Sequence, residues 1–414
     1  MYRTISILLY VDDIVLLANS PEDLQSLLDI TFKWCEKWRL SINGDKTEVM
    51  HVRTKNKPRS QYPLFFGINY GTPEYLIPSN NCICLMYTNE YKYLGIVINE
   101  FLDFEVAAKH LSVKASKALG SLLSKFYHNN GMPLKTYKKL YEACIRKIMD
   151  YGAGIWGFGE FSCMEKIQNR AMRCFLGVHK YAPLFALQGE MAFIPTTTSR
   201  KLEMLRLWNR ILRLPNERLP KKLFHIMYQN NSKWCLSLKS ILTEINKPEL
   251  YTNKACAMIW RSRGQFQINN NLKFLEDIST KPKLRTYCKI KNSYQTEPYI
   301  VKCFSRNKRS VFAQLRIGIL PIMIETGRYT NMAVESRLCN YCTLNKVEDE
   351  QHFLLECSNY TELRSTFYEK CRQENPSFDE LSSEEKFIFI MNNDTMTNDC
   401  VNFVYDVFHK RKNA

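Results

Sequence analysis

The chain opens on two short apolar, β-branched runs divided by acidic residues. Ile5 to Ala18 reads ISILLY-VDD-IVLLA, the pattern of a buried hairpin with its carboxylates at the tip. Ser20-Pro-Glu-Asp then predicts a helix start, with Ser20 as cap and Pro21 at the first helical position. Leu24, Leu27, Leu28, Thr31, Phe32, Cys35 and Trp38 repeat at helical spacing and form the face that packs on the sheet. Extended segments are expected at Thr47–Arg53 and Tyr91–Asn99, separated by a loop rich in Pro, Gly and Asn. From about Val106 the periodicity becomes helical and stays so, with brief strand-like interruptions, to roughly residue 335.

Two of these helices carry a second stripe opposite the apolar one. Over 107–128, Leu111, Ala115, Ala118, Leu122 and Phe126 face inward, while Lys114, Lys117 and Lys125 share a polar row. In the next helix Tyr137, Tyr141, Cys144 and Ile148 are expected inside, and Lys135, Lys139 and Arg146 outside. Each row places cations one or two turns apart, a spacing that suits successive phosphates, though a solvated helix face reads the same way. Trp156, Trp208, Tyr137 and Tyr141 read as core residues in preference to base-stacking platforms.

Charge sharpens this picture. The 414 residues carry 58 basic and 41 acidic side chains. The excess is local: residues 106–235 hold 22 basic and 7 acidic groups, whereas residues 335–414 hold 9 and 15. A basic middle between acidic ends points to a polyanion-binding tract. No apolar run approaches the roughly 20 residues that span a bilayer. No secretory signal is present either, so the fifteen cysteines read as reduced intracellular thiols, nuclear or cytoplasmic.

Two clusters carry chemistry. Adjacent aspartates at a hairpin tip, Asp12 and Asp13, hold hard divalent cations on oxygen ligands and suit two-metal phosphoryl transfer, which needs at least one further carboxylate from another strand. A bare Asp-Asp pair is also an ordinary polar turn. Cys339, Cys342, His352 and Cys357 have C-x2-C-x9-H-x4-C spacing, which predicts a closed, structural tetrahedral zinc site. Glu348, Asp349 and Glu350 beside it argue against strong phosphate binding by its exposed loop.

In order along the chain, LLYVDDIVLLA, CEKWRLSINGDKTEVM and YKYLGIVIN resemble the C, D and E motifs of a reverse transcriptase palm. MPLKTYKKLYEACIRKIMDYGAGIWG is similar to the thumb of non-LTR retrotransposon enzymes, and MEKIQNRAMRCFLGVHKYAP with LEMLRLWNRILRLP to the region after it. ESRLCNYC and EDEQHFLLECSNY resemble the zinc-binding module at the C-terminus of the same enzymes.

The resemblance implies an α+β fold: a partial palm over 1–105, a helical thumb over 106–160, a basic helical linker over 161–335, a CCHC module over 336–370 and an acidic helical tail over 371–414. It implies Mg2+ on Asp12 and Asp13, Lys46 as general acid toward departing pyrophosphate, and Tyr93, Leu94 and Gly95 as primer grip. Lys46 as a solvated surface lysine stays open beside that role, as does Tyr93-Leu94-Gly95 as a plain strand end. RNA and DNA, as template and primer, are the implied partners, with a complementing polymerase chain as a further one and no membrane.

In the family, the third catalytic aspartate and the fingers lie upstream of the segment matched here. The metal site is therefore expected to be incomplete and the isolated chain inactive as a polymerase. A non-enzymatic RNA- or DNA-binding protein derived from such an element is the alternative, and an element whose upstream half is encoded outside this chain is a third.

Overall fold

The alternating run at the start of the chain does form a hairpin: β1 (Ile7–Tyr10) pairs antiparallel with β2 (Asp13–Leu16), Tyr10 opposite Asp13. In this computed structural model the described residues are 6–67 and 83–413, so Ile5 and residues 68–82 of the predicted Pro/Gly/Asn-rich loop lie outside them. The chain divides into two compact units, Met1–His110 and Leu111–Ala414.

In the first unit, α1 (Pro21–Trp38) begins as its sequence predicts. The Ser20 Oγ accepts from Asp23 N at 3.1 Å, and Pro21 occupies the first turn. Leu28, Thr31 and Cys35 are buried, and Leu28 and Cys35 make a small core with Val49, Leu64, Phe66 and Leu85. Four two-residue strands carry most of the rest: β3 (Glu48–Val49), β4 (Phe65–Phe66), β5 (Ile83–Cys84) and β6 (Met86–Tyr87). They form two ladders, β3 parallel to β6 and β4 antiparallel to β5. The Gln25 amide locks α1 to β4, accepting from Phe65 N and donating to Phe65 O, both at 2.9 Å.

Two expectations are corrected here. Trp38 is 62% exposed, because it is the last residue of α1, where Arg39 turns left-handed at φ 56° and ends the buried face. Tyr91–Asn99 is not one extended segment but a second hairpin, β7 (Glu90–Tyr93) with β8 (Ile96–Asn99).

The second unit is helical throughout, apart from an isolated bridge between Leu338 and Val347. The unit boundary falls within α2 (Phe104–His128), whose first turn is capped by Asp103 Oδ1 accepting from Glu105 N at 3.0 Å. α3 (Leu134–Leu140) follows. Phe126, Tyr137 and Phe175 pack in a buried ring triad, and the Tyr137 hydroxyl donates to Ala171 O at 2.8 Å. Tyr141, Trp156 and Trp208 are likewise buried.

The C-terminal helix Thr397–Asn413 packs against the helices Arg306–Arg316 and Pro298–Lys302. The stretches read as linker, module and tail thus share one unit. No helix among the described residues is long and apolar enough to cross a membrane.

Candidate functional site

The acidic turn is built from the hairpin upward. Two residues, Val11 and Asp12, connect β1 to β2, and Val11 has φ 55° with its side chain 92% exposed. A positive φ at the first central residue alone is the type II′ arrangement that normally takes glycine. A β-branched residue there is strained, and the flanking ladder holds it. Asp12 and Asp13 both face solvent, so two carboxylates stand on a short, rigid tip.

The β7–β8 turn is Leu94-Gly95, with φ 46° and 85°. Two positive values make it type I′, which matches the right-handed twist of its strands and explains the glycine. Tyr91, on β7, connects the two hairpins electrostatically. Burial raises its hydroxyl pKa, and the charges of Asp13, Glu48 and Tyr93 push it further up. Glu48, on β3, is thus a second carboxylate that acts on Tyr91, and only the fold brings those two residues together. It does not complete a metal site, since the described residues bring no third His, Cys, Asp or Glu into metal-sharing range of Asp12 and Asp13.

The other acids stand elsewhere. Asp29 lies on α1, accepting from Gln25 Nε2 at 2.8 Å, and Asp103 caps α2. Asp45 and Lys46 belong to a short 3-10 turn, Gly44–Lys46, with Lys46 exposed.

The cysteine-histidine set does converge. Cys339, Cys342, His352 and Cys357 place their ligand atoms within 4.8 Å of one another. Cys339 Sγ is 3.9 Å from Cys357 Sγ, and Cys342 Sγ is 3.4 Å from His352 Nε2. A tetrahedral zinc with bonds of about 2.3 Å to sulfur and about 2.1 Å to nitrogen separates its ligands by roughly 3.6–3.8 Å, so the donor set fits that ion.

Local structure sets this up. Cys339 N donates to Lys346 O at 2.9 Å, closing the loop that carries Cys342, and a wide π-turn over His352–Glu356 presents His352 and leads into Cys357. Glu356 Oε2 stands 3.5 Å from His352 Nδ1, on the side of the ring away from the cysteines, where a carboxylate orients a ligating imidazole. Burial pushes the Cys339 thiol up to about 12 and the Cys357 thiol in the same direction, so a bound cation is what would hold them as thiolates.

The acidic run beside this cluster is corrected by the structure. Glu348 and Glu350 are buried, not on an exposed loop. Glu348 pairs with Arg411 and accepts from Met323 N at 2.7 Å, while Glu350 accepts from Arg285 at 3.0 Å and Thr286 at 3.1 Å. Asp349 caps the π-turn, accepting from His352 N at 2.8 Å. The run welds the module to the helices around it.

Of the predicted basic residues, Lys114, Lys117, Lys125, Lys135 and Lys139 are exposed and form no ion pair among the described residues. Arg146 departs from that row. It is 9% exposed and donates from Nη2 to Ile194 O at 2.9 Å. The cause is the π-helical turn Tyr141–Arg146, whose extra residue rotates the helix face. Cys144, expected inside, turns out to solvent, and Ile145 and Arg146 turn in.

Comparison with known proteins agrees with the first hairpin. Residues 1–98 match the reverse transcriptase (RNA-dependent DNA polymerase) family. The chain is 26% identical over 219 residues to a probable RNA-directed DNA polymerase from transposon BS of Drosophila melanogaster, covering 49% of this chain and 22% of that protein. It is 26% identical over 165 residues to the RNA-directed DNA polymerase from mobile element jockey of Drosophila funebris, covering 38% and 16%. A Pol polyprotein from the type-1 retrotransposable element R1 of Nasonia vitripennis is 21% identical over 175 residues, covering 41% and 49%. The chain therefore spans less than a quarter of the length of the first two and about half of the third. No solved structure matches it. The acidic turn lies inside the matched segment, and the chain is similar to RNA-directed DNA polymerases of transposable elements.

Proposed function

We propose that this chain grips template and primer for an RNA-directed DNA polymerase and does not polymerise alone. The observation that carries the reading is the Tyr10-Val11-Asp12-Asp13 turn, a strained and exposed carboxylate tip within the segment that matches the family. Asp12 and Asp13 would hold Mg2+, whose chemistry is to activate a 3′-hydroxyl and steady departing pyrophosphate. Two carboxylates on one turn leave a two-metal site short of a shared ligand, so in-line geometry is not enforced. A complementing polymerase chain that brings a further carboxylate is the partner this arrangement calls for.

The Leu94-Gly95 turn lets backbone approach a primer end, and Lys46 stands exposed as a general-acid candidate. Lys114, Lys117, Lys125, Lys135 and Lys139, all exposed and unpaired, are the phosphate contacts. Zinc on Cys339, Cys342, His352 and Cys357 is structural, since all four positions are filled by protein.

A primed RNA template tests this directly. The full chain should bind it with an affinity that falls steeply with salt, losing a step of that dependence with each lysine reversed to glutamate, and should add no nucleotide. Nucleotide incorporation abolished by Asp12→Ala would overturn the inactivity. Affinity indifferent to salt would remove the electrostatic grip.

The second reading, an element-derived binding protein without catalytic role, draws on the same unpaired lysines. It predicts that no added polymerase chain restores extension, whereas the first predicts that one does.

A further inference from the structure

A pocket of about 580 Å3 opens in the second unit between the start of the helix Thr196–Leu212, the helix Ile259–Ser279, the Ser293–Thr296 segment and Lys138 of α3. That volume suits a ligand of nucleotide size. No Asp or Glu lines it. Lys138 and Arg263 do line it, and neither forms an ion pair among the described residues. The helix Thr196–Leu212 starts at Pro195 with no side-chain cap, so its partly positive first turn edges the same space. Behind the wall, Arg146 bonds Ile194 O through Nη2 and leaves Nε and Nη1 without hydrogen-bond partners. The pocket is therefore built to receive negative charge.

Its other polar groups are amides. Asn270 and Asn271 brace the walls, through Thr198 Oγ1 at 3.4 Å and Tyr294 N at 2.6 Å. The side chains of Gln267 and Gln295 are uncommitted among the described residues. Side-chain amides pair in two-point fashion with base edges. The Tyr294 ring, its hydroxyl donating to Phe193 O at 2.8 Å, adds an aromatic face to the lining.

Gly264 is a separate clue. It sits inside a 21-residue helix, where glycine weakens the helix relative to alanine, yet a Cβ there would meet nothing within 4 Å. Packing within the protein does not require the glycine. It lines the pocket, and keeps backbone open to whatever enters.

We infer that this pocket holds one nucleotide of a single strand, its phosphate between Lys138 and Arg263 and its base against the amides of Gln267 and Gln295. The inference rests on the nucleic-acid reading above but concerns a site distinct from the lysine rows.

The test uses the full chain, a labelled single strand of about twelve nucleotides, a matching duplex and free AMP. Gly264→Leu sets its Cβ in open space at the pocket wall, replaces a helix-weakening glycine, and should keep the melting temperature at or above wild type. With Arg263→Glu, it should weaken single-strand binding by about tenfold and leave duplex binding within about twofold. Reversal of Lys114, Lys117 and Lys125 should weaken both. A strand carrying 4-thiouridine should crosslink to peptides from 259–279 or 293–296. AMP should compete far more weakly than the strand.

Unchanged single-strand affinity in both pocket variants overturns this inference alone. Wild-type protein that binds neither strand nor duplex overturns it together with the nucleic-acid reading. AMP binding as tight as the strand, lost in Gly264→Leu, overturns the strand as ligand and assigns a free nucleotide.

Discussion

Arg411, three residues from the end of the chain, lies against Glu348 in a two-point ion pair, Nε to Oε1 at 2.7 Å and Nη2 to Oε2 at 2.8 Å. Its guanidinium also stands 4.8 Å from the centroid of the Tyr341 ring, between Cys339 and Cys342. The pair ties the C-terminal helix to the metal cluster, with Glu348 1% and Arg411 12% exposed. Removing one partner strands the other: Arg411→Ala should destabilise the second unit by about 3 kcal/mol. Arg411→Met/Glu348→Gln together should recover part of it, as followed by urea unfolding. Equal stability of the single variant and wild type would show the pair to be idle.

Purified full chain should carry one zinc, displaced by a strong chelator with loss of about 3 kcal/mol or more from the second unit. Cys342→Ser should weaken zinc retention, and Glu356→Ala should do so by roughly tenfold through the imidazole it faces. Metal analysis finding no zinc in protein that is nonetheless folded would end the assignment.

Val11 holds φ 55° in a turn that favours glycine. Val11→Gly should stabilise the first hairpin by about 1 kcal/mol, since it removes strain in the folded form, less the chain entropy glycine adds when unfolded. Amide exchange at Tyr10 and Asp13 is the readout. Faster exchange in the variant would mean that the ladder, not the turn, sets hairpin stability.

Glu100 is held below the ordinary carboxylate range, chiefly by the hydrogen bond from Arg59, against burial and with the charges of Arg53 and Arg59 assisting. A depressed folded value means that its stabilisation is present above the unfolded carboxylate pKa and disappears as pH falls through the folded one. Acidification should therefore release the Arg53–Arg59 loop, seen by carboxylate NMR titration. Arg59→Ala should move the Glu100 titration back toward the normal range.

The sequence made the local chemistry legible where a few adjacent residues suffice. Ser20 and Pro21 announced α1, and the spacing of Cys339, Cys342, His352 and Cys357 matched a ligand set that the fold brings within 4.8 Å. The second hairpin was read as one strand because Leu94-Gly95 lacks the usual Asn or Asp, although Gly95 supplied half of the signal. Arg146 was placed outside because a 3.6-residue period assumes an unbroken α-helix. One π-turn invalidates that count, and nothing in Tyr141–Arg146 advertises it.

Sequence by itself thus singled out the candidate residues: the aspartates of the turn, the three cysteines and one histidine of the cluster, and the lysines on two helical faces. Those features depend on neighbours within one element, where backbone geometry is regular. Tertiary structure alone decided that Glu348 and Glu350 are buried partners and not a repulsive surface. It alone brought Asp13 and Glu48 to bear on Tyr91, and gathered Lys138 and the Arg263-Gly264 pair, distant in the chain, around one pocket. Burial and ion pairing depend on what packs opposite a residue, and that partner can stand far off in the chain, 126 positions in the case of Glu190 and Arg316.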